Sequence, residues 1–194
     1  TNIPTHNLGE VIDGCCALLE NPDITVAELI EHIPGPDFPT GGIIHGMAGV
    51  RSAYHLGKGH VRVRAKAFIE EGKGDREIIV ITEIPYMVAK SNLLEKMADL
   101  VREKRIEGIS NIRDESDRDG LRIVVELKRD ANSEVALNLL YKHTQLQTTF
   151  AANTIALVDG VPKQLNLKQM LSFFVDHRHE VVVRRTTYEL RVAE

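Results

Sequence analysis

The chain has 194 residues, of which 43% are hydrophobic and 27% charged, a balance that is typical of a globular protein and excludes a disordered or fibrous one. Asp and Glu outnumber Lys and Arg by 28 to 24, so a cationic surface can arise only where charges are segregated. No basic leader precedes an apolar core and no apolar run approaches about 18 residues, so we expect a cytoplasmic protein outside the membrane. Because Thr1 is not a Met and Glu194 is still in helical register, we expect a piece of a larger protein.

Four segments carry a pattern that predicts a helix start, in which a cap residue and a Glu or Gln three places later satisfy each other's backbone N–H groups. The pairs are Asn7 with Glu10, Thr25 with Glu28, Asn92 with Glu95, and Asn166 with Gln169. The first helix is expected to end at about Glu20 and the second before Pro34, inside the stiff segment IPGPDFPTGG. Residues 1–40 are therefore predicted to form a helical segment.

Beyond residue 40 the apolar residues repeat with the period of a strand. Residues 60–67 alternate basic and apolar side chains, and together with EIIVITEIP they predict a β-hairpin. The elements that follow are a helix over 92–105, the strands GISNIR and LRIVVELKR, a helix from about Ser133 to His143, and a strand from about Thr148 to Val158. This order predicts an α+β domain over residues 41–165, with a mostly antiparallel sheet and helices on one face. Residues 166–194 predict one long helix with a heptad-like seam.

The segment GKGHVRVRAKAFI contains the clearest functional signal, because its basic side chains occupy alternate strand positions and are expected to share one face. No Asp or Glu occurs from Phe38 to Ile69. Such a row can neutralise the phosphates of a nucleic acid. The candidate binding residues in this window are Arg51, Lys58, His60, Arg62, Arg64 and Lys66. The alternative, that the row is only the solvated outer face of a hairpin, stays open.

Other patterns that could mark chemistry are incomplete. The loop DESDRDG comes close to a calcium-binding loop, but its first ligand position is Glu115 and a strand pattern follows, so we interpret it as a polar hairpin loop. His177 and His179 point about 200° apart on a helix, which prevents joint metal ligation. The turn Gly57-Lys58-Gly59 lacks the rest of a phosphate-binding loop, and no nucleophile with a partner base is evident. We therefore predict a binding module without catalytic, cofactor-binding or metal-binding residues.

Five segments resemble one known family along essentially the whole chain. They are NIPTHNLGEVID, IPGPDFPTGG, EIPYMVAKSNLLEK, IEGISNIRDESDRDGLRIVVELKRDA and HRHEVVVRRTTYELR. In this order they are similar to the middle of the A subunit of bacterial DNA gyrase and of its relative, the ParC-type subunit of topoisomerase IV. The resemblance leaves open which of the two is the better match. Thr5, Met87 and Ala89 depart from the family pattern, where Pro, Gln and Asn are common.

The resemblance implies a place for the chain in a larger enzyme, an ATP-dependent type II DNA topoisomerase. Residues 1–40 would continue from the winged-helix part of the DNA gate, residues 41–165 would form the α+β tower domain, and residues 166–194 would start the coiled-coil arm. The catalytic tyrosine of the family lies upstream of Thr1, so the chain alone is expected to be inactive. ATP and Mg²⁺ belong to the partner B subunit, which implies no cofactor here.

The same resemblance implies an A2B2 assembly, in which the partners of the chain are double-stranded DNA, two B subunits and a second A subunit. It implies that the tower flanks a bent duplex, so that the basic row would hold the arms of the gate duplex during double-strand passage and supercoiling. Two other functions remain as alternatives. One is a protein-interaction domain with a solvated basic strand, and the other is an enzyme with an unrecognised small-molecule pocket.

Overall fold

The computed structural model describes residues 2–72 and 76–194. Within these ranges the helices are α1 (Leu8–Glu20), α2 (Val26–His32), α3 (Ala48–Leu56), α4 (Lys90–Arg102), α5 (Ser133–His143) and α6 (Leu167–Ala193). The strands are β1 (Ile43–Ile44), β2 (Lys58–Arg64), β3 (Lys66–Glu71), β4 (Glu77–Glu83), β5 (Ile109–Asp114), β6 (Ile123–Leu127), β7 (Gln147–Asn153), β8 (Ile155–Val158) and β9 (Val161–Gln164). Helices together with antiparallel strand pairs confirm the predicted α+β class. No helix in the described ranges is long and apolar enough to cross a membrane.

Three of the four predicted helix caps are present. Thr25 and Asn166 each form the reciprocal capping box that the sequence predicts. Asn7 caps α1 by accepting hydrogen bonds from two backbone N–H groups of the first turn. The prediction at Asn92 is wrong, because α4 already begins at Lys90 and the residue before it makes no side-chain cap bond. Asn92 therefore lies inside α4, two residues after its start.

In the part of the chain that the structure describes, the strands form three sheets, with the orders β1-β2-β7, β3-β4-β6-β5 and β8-β9. The predicted hairpin is confirmed for β3 and β4, which pair antiparallel. The single strand predicted over residues 60–67 is broken at Ala65, because β2 and β3 belong to different sheets. The strand predicted from Thr148 to Val158 is likewise two strands, β7 and β8, separated at Thr154. Alternating apolar residues continue across the break at Ala65, so periodicity alone cannot reveal it.

The four-stranded sheet carries a large hydrophobic core on one face, against α4 and α5. Its fully buried side chains include Leu93, Met97, Leu100, Leu140, Ile79, Ile81, Ile123, Val125 and Leu127. Burying each such side chain stabilises the fold by about 1.5 to 3 kcal/mol. The opposite face carries charges, among them Arg113 and Glu126, whose side chains lie 3.1 Å apart. The helices thus cover one face of this sheet, as predicted.

The chain divides into two compact units. The sheet unit contains Phe38–Gly46 and Arg62–Phe150, and the helical unit contains Met47–Val61, Ala151–Glu194 and the segment that ends at Asp37. The division falls inside β2 and β7, so each of these strands contributes residues to both units. The sequence-based division into residues 1–40, 41–165 and 166–194 stays a prediction.

In the helical unit, α3 lies directly against β2 at two glycines. A Cβ atom added to Gly49 would lie 1.9 Å from the carbonyl oxygen of His60, and one added to Gly59 would lie 2.3 Å from the carbonyl oxygen of Gly49. Only a residue without a side chain allows the two backbones to approach so closely. This contact fixes α3, which carries the exposed Arg51, against the strand.

Two polar side chains are paired inside the helical unit. Tyr54 on α3 is only 5% exposed, and its hydroxyl donates to Nε2 of His6 at 2.7 Å. Nδ1 of His6 lies 2.9 Å from the carbonyl oxygen of Pro4, which can only accept, so Nδ1 carries a hydrogen and, in the neutral ring, Nε2 is the acceptor for the Tyr54 hydroxyl. Burial lowers the pKa of His6 below its ordinary 6.5, and the Pro4 carbonyl and the carboxylates of Glu10 and Asp37 oppose this only in part.

We expect the free energy of unfolding to decrease as the pH is lowered from about 7.5 to about 5.5. The pKa of His6 is lower in the folded protein than in the unfolded chain, so protons bind the unfolded chain more readily and favour it. Urea unfolding at several pH values measures the decrease. In the His6→Gln variant the decrease should be smaller, because that group no longer titrates. An equal decrease in both proteins would contradict the prediction.

Candidate nucleic-acid interface

β2 is the central strand of its sheet, between β1 and β7, and carries most of the predicted basic row. Its side chains alternate between buried and outward positions, as the sequence indicates. Gly59, Val61 and Val63 are buried, Lys58, His60 and Arg62 are exposed, and Arg64 is half-buried. The row therefore lies on one face of β2, and the apolar residues lie on the other.

β1 contributes a further basic side chain that the sequence analysis missed. β1 pairs antiparallel with β2, with Ile43 opposite Arg64, and the backbone N–H of His45 donates to the carbonyl oxygen of Arg62 at 2.8 Å. His45 therefore lies beside Arg62 and on the same face. A strand of two residues has no periodicity of its own, so only its pairing with β2 reveals this position.

β7 borders the row on the other side with neutral polar side chains. Oε1 of Gln147 accepts a hydrogen bond from Nε of Arg64 at 2.6 Å, which places Gln147 on the same face as the arginine. Thr149 is exposed two positions further along β7 and so lies on this face as well. We call the surface made by His45, Arg62, Arg64, Gln147 and Thr149 the basic face. Among the described residues, no carboxylate forms an ion pair with its cations.

The two arginines of the basic face differ in their surroundings. Arg62 is exposed, and within the part of the chain that the structure describes its side chain makes no hydrogen bond or ion pair. Arg64 is bonded to Gln147, and its Cζ lies 4.9 Å from the centre of the Tyr141 ring. Burial raises the pKa of Tyr141, and the positive charge of Arg64 opposes that rise.

Lys66 does not belong to the basic face, because it lies on β3 and therefore in a different sheet from β2. It begins β3, and its Nζ lies 3.2 Å from Oε1 of Glu83 on β4. The other oxygen of Glu83 accepts the backbone N–H of Gly42 at 2.6 Å. This bond, together with the contact to Lys66, lowers the pKa of Glu83 despite its partial desolvation. Glu83 therefore stays ionised at neutral pH and compensates the charge of Lys66 locally.

The remaining predicted residues belong to the helical unit. Lys58 and His60 are exposed on β2, whereas Arg51 is exposed on α3 and not on a strand. The hydroxyl of Ser52 donates to the carbonyl oxygen of Lys58 at 2.9 Å, which links α3 to the start of β2. Within the described ranges none of these three side chains has a carboxylate partner.

The loop DESDRDG joins β5 to β6, which pair antiparallel, so it is the polar hairpin loop that we expected. The two arginines that flank this loop, Arg113 and Arg122, are paired with carboxylates. Arg113 pairs with Glu115 and Glu126, and Arg122 pairs with Glu70 and Glu115, all at 3.0 to 3.3 Å. No group of three potential metal ligands occurs among the described residues. Arg113 and Arg122 thus differ from Arg62 and Arg64 on the basic face, whose charges have no carboxylate partner among the described residues.

An α+β protein whose cationic sheet face has no carboxylate partner among the described residues has the properties of a nucleic-acid-binding domain. Comparison with known proteins makes the assignment specific. The sequence model of the family of DNA gyrase and topoisomerase IV A subunits matches residues 1–194. The chain belongs to this family, which confirms the resemblance seen in its sequence motifs.

The curated relatives support the same assignment. The A subunit of DNA gyrase from Pseudomonas aeruginosa is 62% identical over 195 residues, an alignment that covers 100% of the chain and 21% of the relative. The corresponding subunit from Halalkalibacterium halodurans is 59% identical over 194 residues, which cover 100% of the chain and 23% of that relative. The one from Escherichia coli is 57% identical over 194 residues, which cover 100% of the chain and 22% of that relative. The chain thus spans about a fifth of the length of the curated relatives it matches.

Proposed function

We propose that this chain is the DNA-supporting part of the A subunit of a type II DNA topoisomerase. In this role it holds the arms of the gate duplex while the parent enzyme carries out ATP-dependent double-strand passage and supercoiling. The basic face is the observation that supports this proposal. Arg62 and Arg64 lie there on a central strand, without carboxylate partners among the described residues. Membership of the family does not favour the alternative of a protein-interaction domain.

The spacing of the basic face supports contacts to a phosphate backbone. Arg62 and Arg64 are two residues apart on one strand, which separates their Cα atoms by about 6.6 Å. Each strand of B-DNA carries a phosphate about every 3.4 Å along the helix axis, so the two side chains can reach different phosphates. The Thr149 hydroxyl can donate a further hydrogen bond. Phosphate contacts position a duplex without reading its sequence, which suits an enzyme that acts at many sites.

The other predicted residues differ in how strongly the structure supports a contact to phosphate. Arg51, Lys58 and His60 remain candidate phosphate contacts, because they are exposed cationic or polar side chains of the helical unit. Lys66 ranks below them, since Glu83 already compensates its charge. His45 joins the set because it lies beside Arg62.

The parent enzyme that we propose is an A2B2 assembly, in which the partners of the chain are double-stranded DNA, two B subunits and a second A subunit. In this arrangement ATP and Mg²⁺ are held by the B subunit, so the present chain needs no cofactor of its own. We further propose that it acts in the cytoplasm. Membership of the family supports the proposed DNA partner and the A2B2 assembly in general terms.

We expect Arg62→Ala to flatten the salt dependence of duplex binding. Each neutralised phosphate contributes about 0.9 to the slope of log affinity against log salt concentration, so the slope should fall by about 0.9. The change should be the same for duplexes of unrelated sequence, because phosphates carry no base information. Fluorescence anisotropy with labelled duplexes over a salt series measures both quantities.

Arg118→Ala is the matched control, because Arg118 is exposed on the loop between β5 and β6 and is not part of the basic face. Its slope should equal that of the unmodified chain. If both variants change the slope equally, the binding reflects diffuse charge and the proposed role of β2 is wrong. If the unmodified chain shows no salt-dependent duplex binding, the proposed function itself is wrong.

A further inference from the structure

The guanidinium of Arg64 is held from two sides by neutral groups. Its Nε donates to Oε1 of Gln147 at 2.6 Å, and its Cζ lies 4.9 Å from the centre of the Tyr141 ring. Hydrogen bonding through Nε restricts the rotation of the group, and its central carbon lies over the Tyr141 ring. The terminal Nη groups form no hydrogen bond to any described residue, so their donors stay free.

Both partners are themselves fixed in place. The hydroxyl of Tyr141 donates to the carbonyl oxygen of Ala65 at 3.0 Å, and α5, which carries Tyr141, is anchored by the fully buried Leu140. Gln147 follows the fully buried Leu146, whose carbonyl oxygen accepts the backbone N–H of Ala65 at 2.7 Å. Gln147 and Tyr141 are therefore both anchored to buried parts of the sheet unit. We call these two residues together the seat of Arg64.

The chemistry of this seat differs from that of the structural arginines in the same unit. Arg113 and Arg122 each pair with two carboxylates, which compensate their charge. Arg64 has an amide and an aromatic ring instead, which orient the guanidinium but leave its charge uncompensated. A side chain that is oriented and still charged is suited to bind an anion that arrives from outside.

We propose that Gln147 and Tyr141 are positioning residues, which hold Arg64 in the orientation that binds a phosphate of duplex DNA. This inference rests on the proposed function. A free arginine loses rotamer entropy when it binds a phosphate, whereas one that folding has already ordered loses less. Removing either partner should therefore weaken binding without changing the number of phosphates that the protein neutralises.

Salt titrations of duplex binding by the 194-residue chain separate these two effects, because the slope counts phosphates and the affinity at fixed salt also reports orientation. Gln147→Leu is expected to weaken binding about 2- to 10-fold with an unchanged slope. Tyr141→Leu should act in the same direction. Arg64→Ala should flatten the slope by about 0.9. In the Arg64→Ala background, Gln147→Leu should have no further effect, because no guanidinium remains to be oriented.

Gln145→Leu is the matched control, since it makes the same substitution at an exposed position just before β7. Its binding should equal that of the unmodified chain. Suppose that Arg64→Ala flattens the slope, but that Gln147→Leu either has no effect on binding or weakens it equally with and without Arg64. That result would overturn the positioning inference and leave the proposed function intact. If Arg64→Ala changes neither slope nor affinity, Arg64 contacts no phosphate, and the inference falls together with that part of the proposed function.

Gln147→Glu provides a second test that does not depend on the folding of the leucine variant. Glutamate keeps the length of the side chain and an acceptor for Nε of Arg64, but it adds the charge that the native seat lacks. The carboxylate should compete with the phosphate and flatten the slope by up to about 0.9. An unchanged slope in a folded Gln147→Glu protein would overturn the inference.

Discussion

Gly49→Ala is expected to lower the free energy of unfolding by at least about 3 kcal/mol. The added Cβ would lie 1.9 Å from the carbonyl oxygen and 2.6 Å from the carbonyl carbon of His60. Both are backbone atoms of β2, so no side chain can rotate away, and α3 must move off the strand instead. Such a movement would also disturb Val50 and Tyr54, which α3 buries. Urea unfolding followed by circular dichroism measures the loss.

Gly9→Ala is the matched control for this variant, because each glycine is the second residue of its helix. A Cβ atom on Gly9 would meet only Oδ1 of Asn7 at 3.2 Å, a side-chain atom that can shift. Alanine is the better helix former, whereas some capping by Asn7 would be lost, so the net change should stay within about 1 kcal/mol. Equal destabilisation by both substitutions would contradict the importance of the contact between α3 and β2.

The double variant Arg62→Ala/Arg64→Ala is expected to flatten the slope of log affinity against log salt concentration by about 2. Both side chains lie on the same face of β2 and are free of carboxylates among the described residues, so each should neutralise one phosphate. The change should be equal for duplexes of unrelated sequence. A salt series of duplex-binding measurements on the variant, placed in the full-length parent protein, tests it. Circular dichroism checks that the variant keeps the secondary structure of the unmodified protein.

Arg113→Ala/Arg122→Ala is the matched control, because it also removes two arginines from the sheet unit. Each of these guanidinium groups is already paired with two carboxylates, so their loss should leave the slope nearly unchanged. An unchanged slope in a folded Arg62→Ala/Arg64→Ala protein would show that the row is only a solvated strand face. The assignment to the family would be unaffected by that result.

Much of the candidate site could be predicted because it depends on local periodicity. The alternation of side chains on β2 follows from the pleat of a strand, and it placed Arg62 outward and Val61 inward correctly. The helix caps at Thr25 and Asn166 could be predicted for a similar reason, since each involves residues only three positions apart. In contrast, Asn92 fits the same pattern but lies inside α4, which begins at Lys90, because a local pattern is only one of the factors that set a helix boundary.

The sequence by itself determined the family, the α+β class and the basic row along β2, because motifs and periodicity act over a few neighbouring residues. Tertiary structure alone decided which cations stay uncompensated. Lys66 meets Glu83 across 17 positions of sequence, and Arg64 meets Gln147 across 83. Strand pairing brings these residues together, and the register of that pairing depends on the burial of whole sheet faces and not on any local pattern. For this reason the basic positions of the row are equivalent in the sequence. In the fold, the charge of Lys66 is compensated and the side chain of Arg64 is oriented.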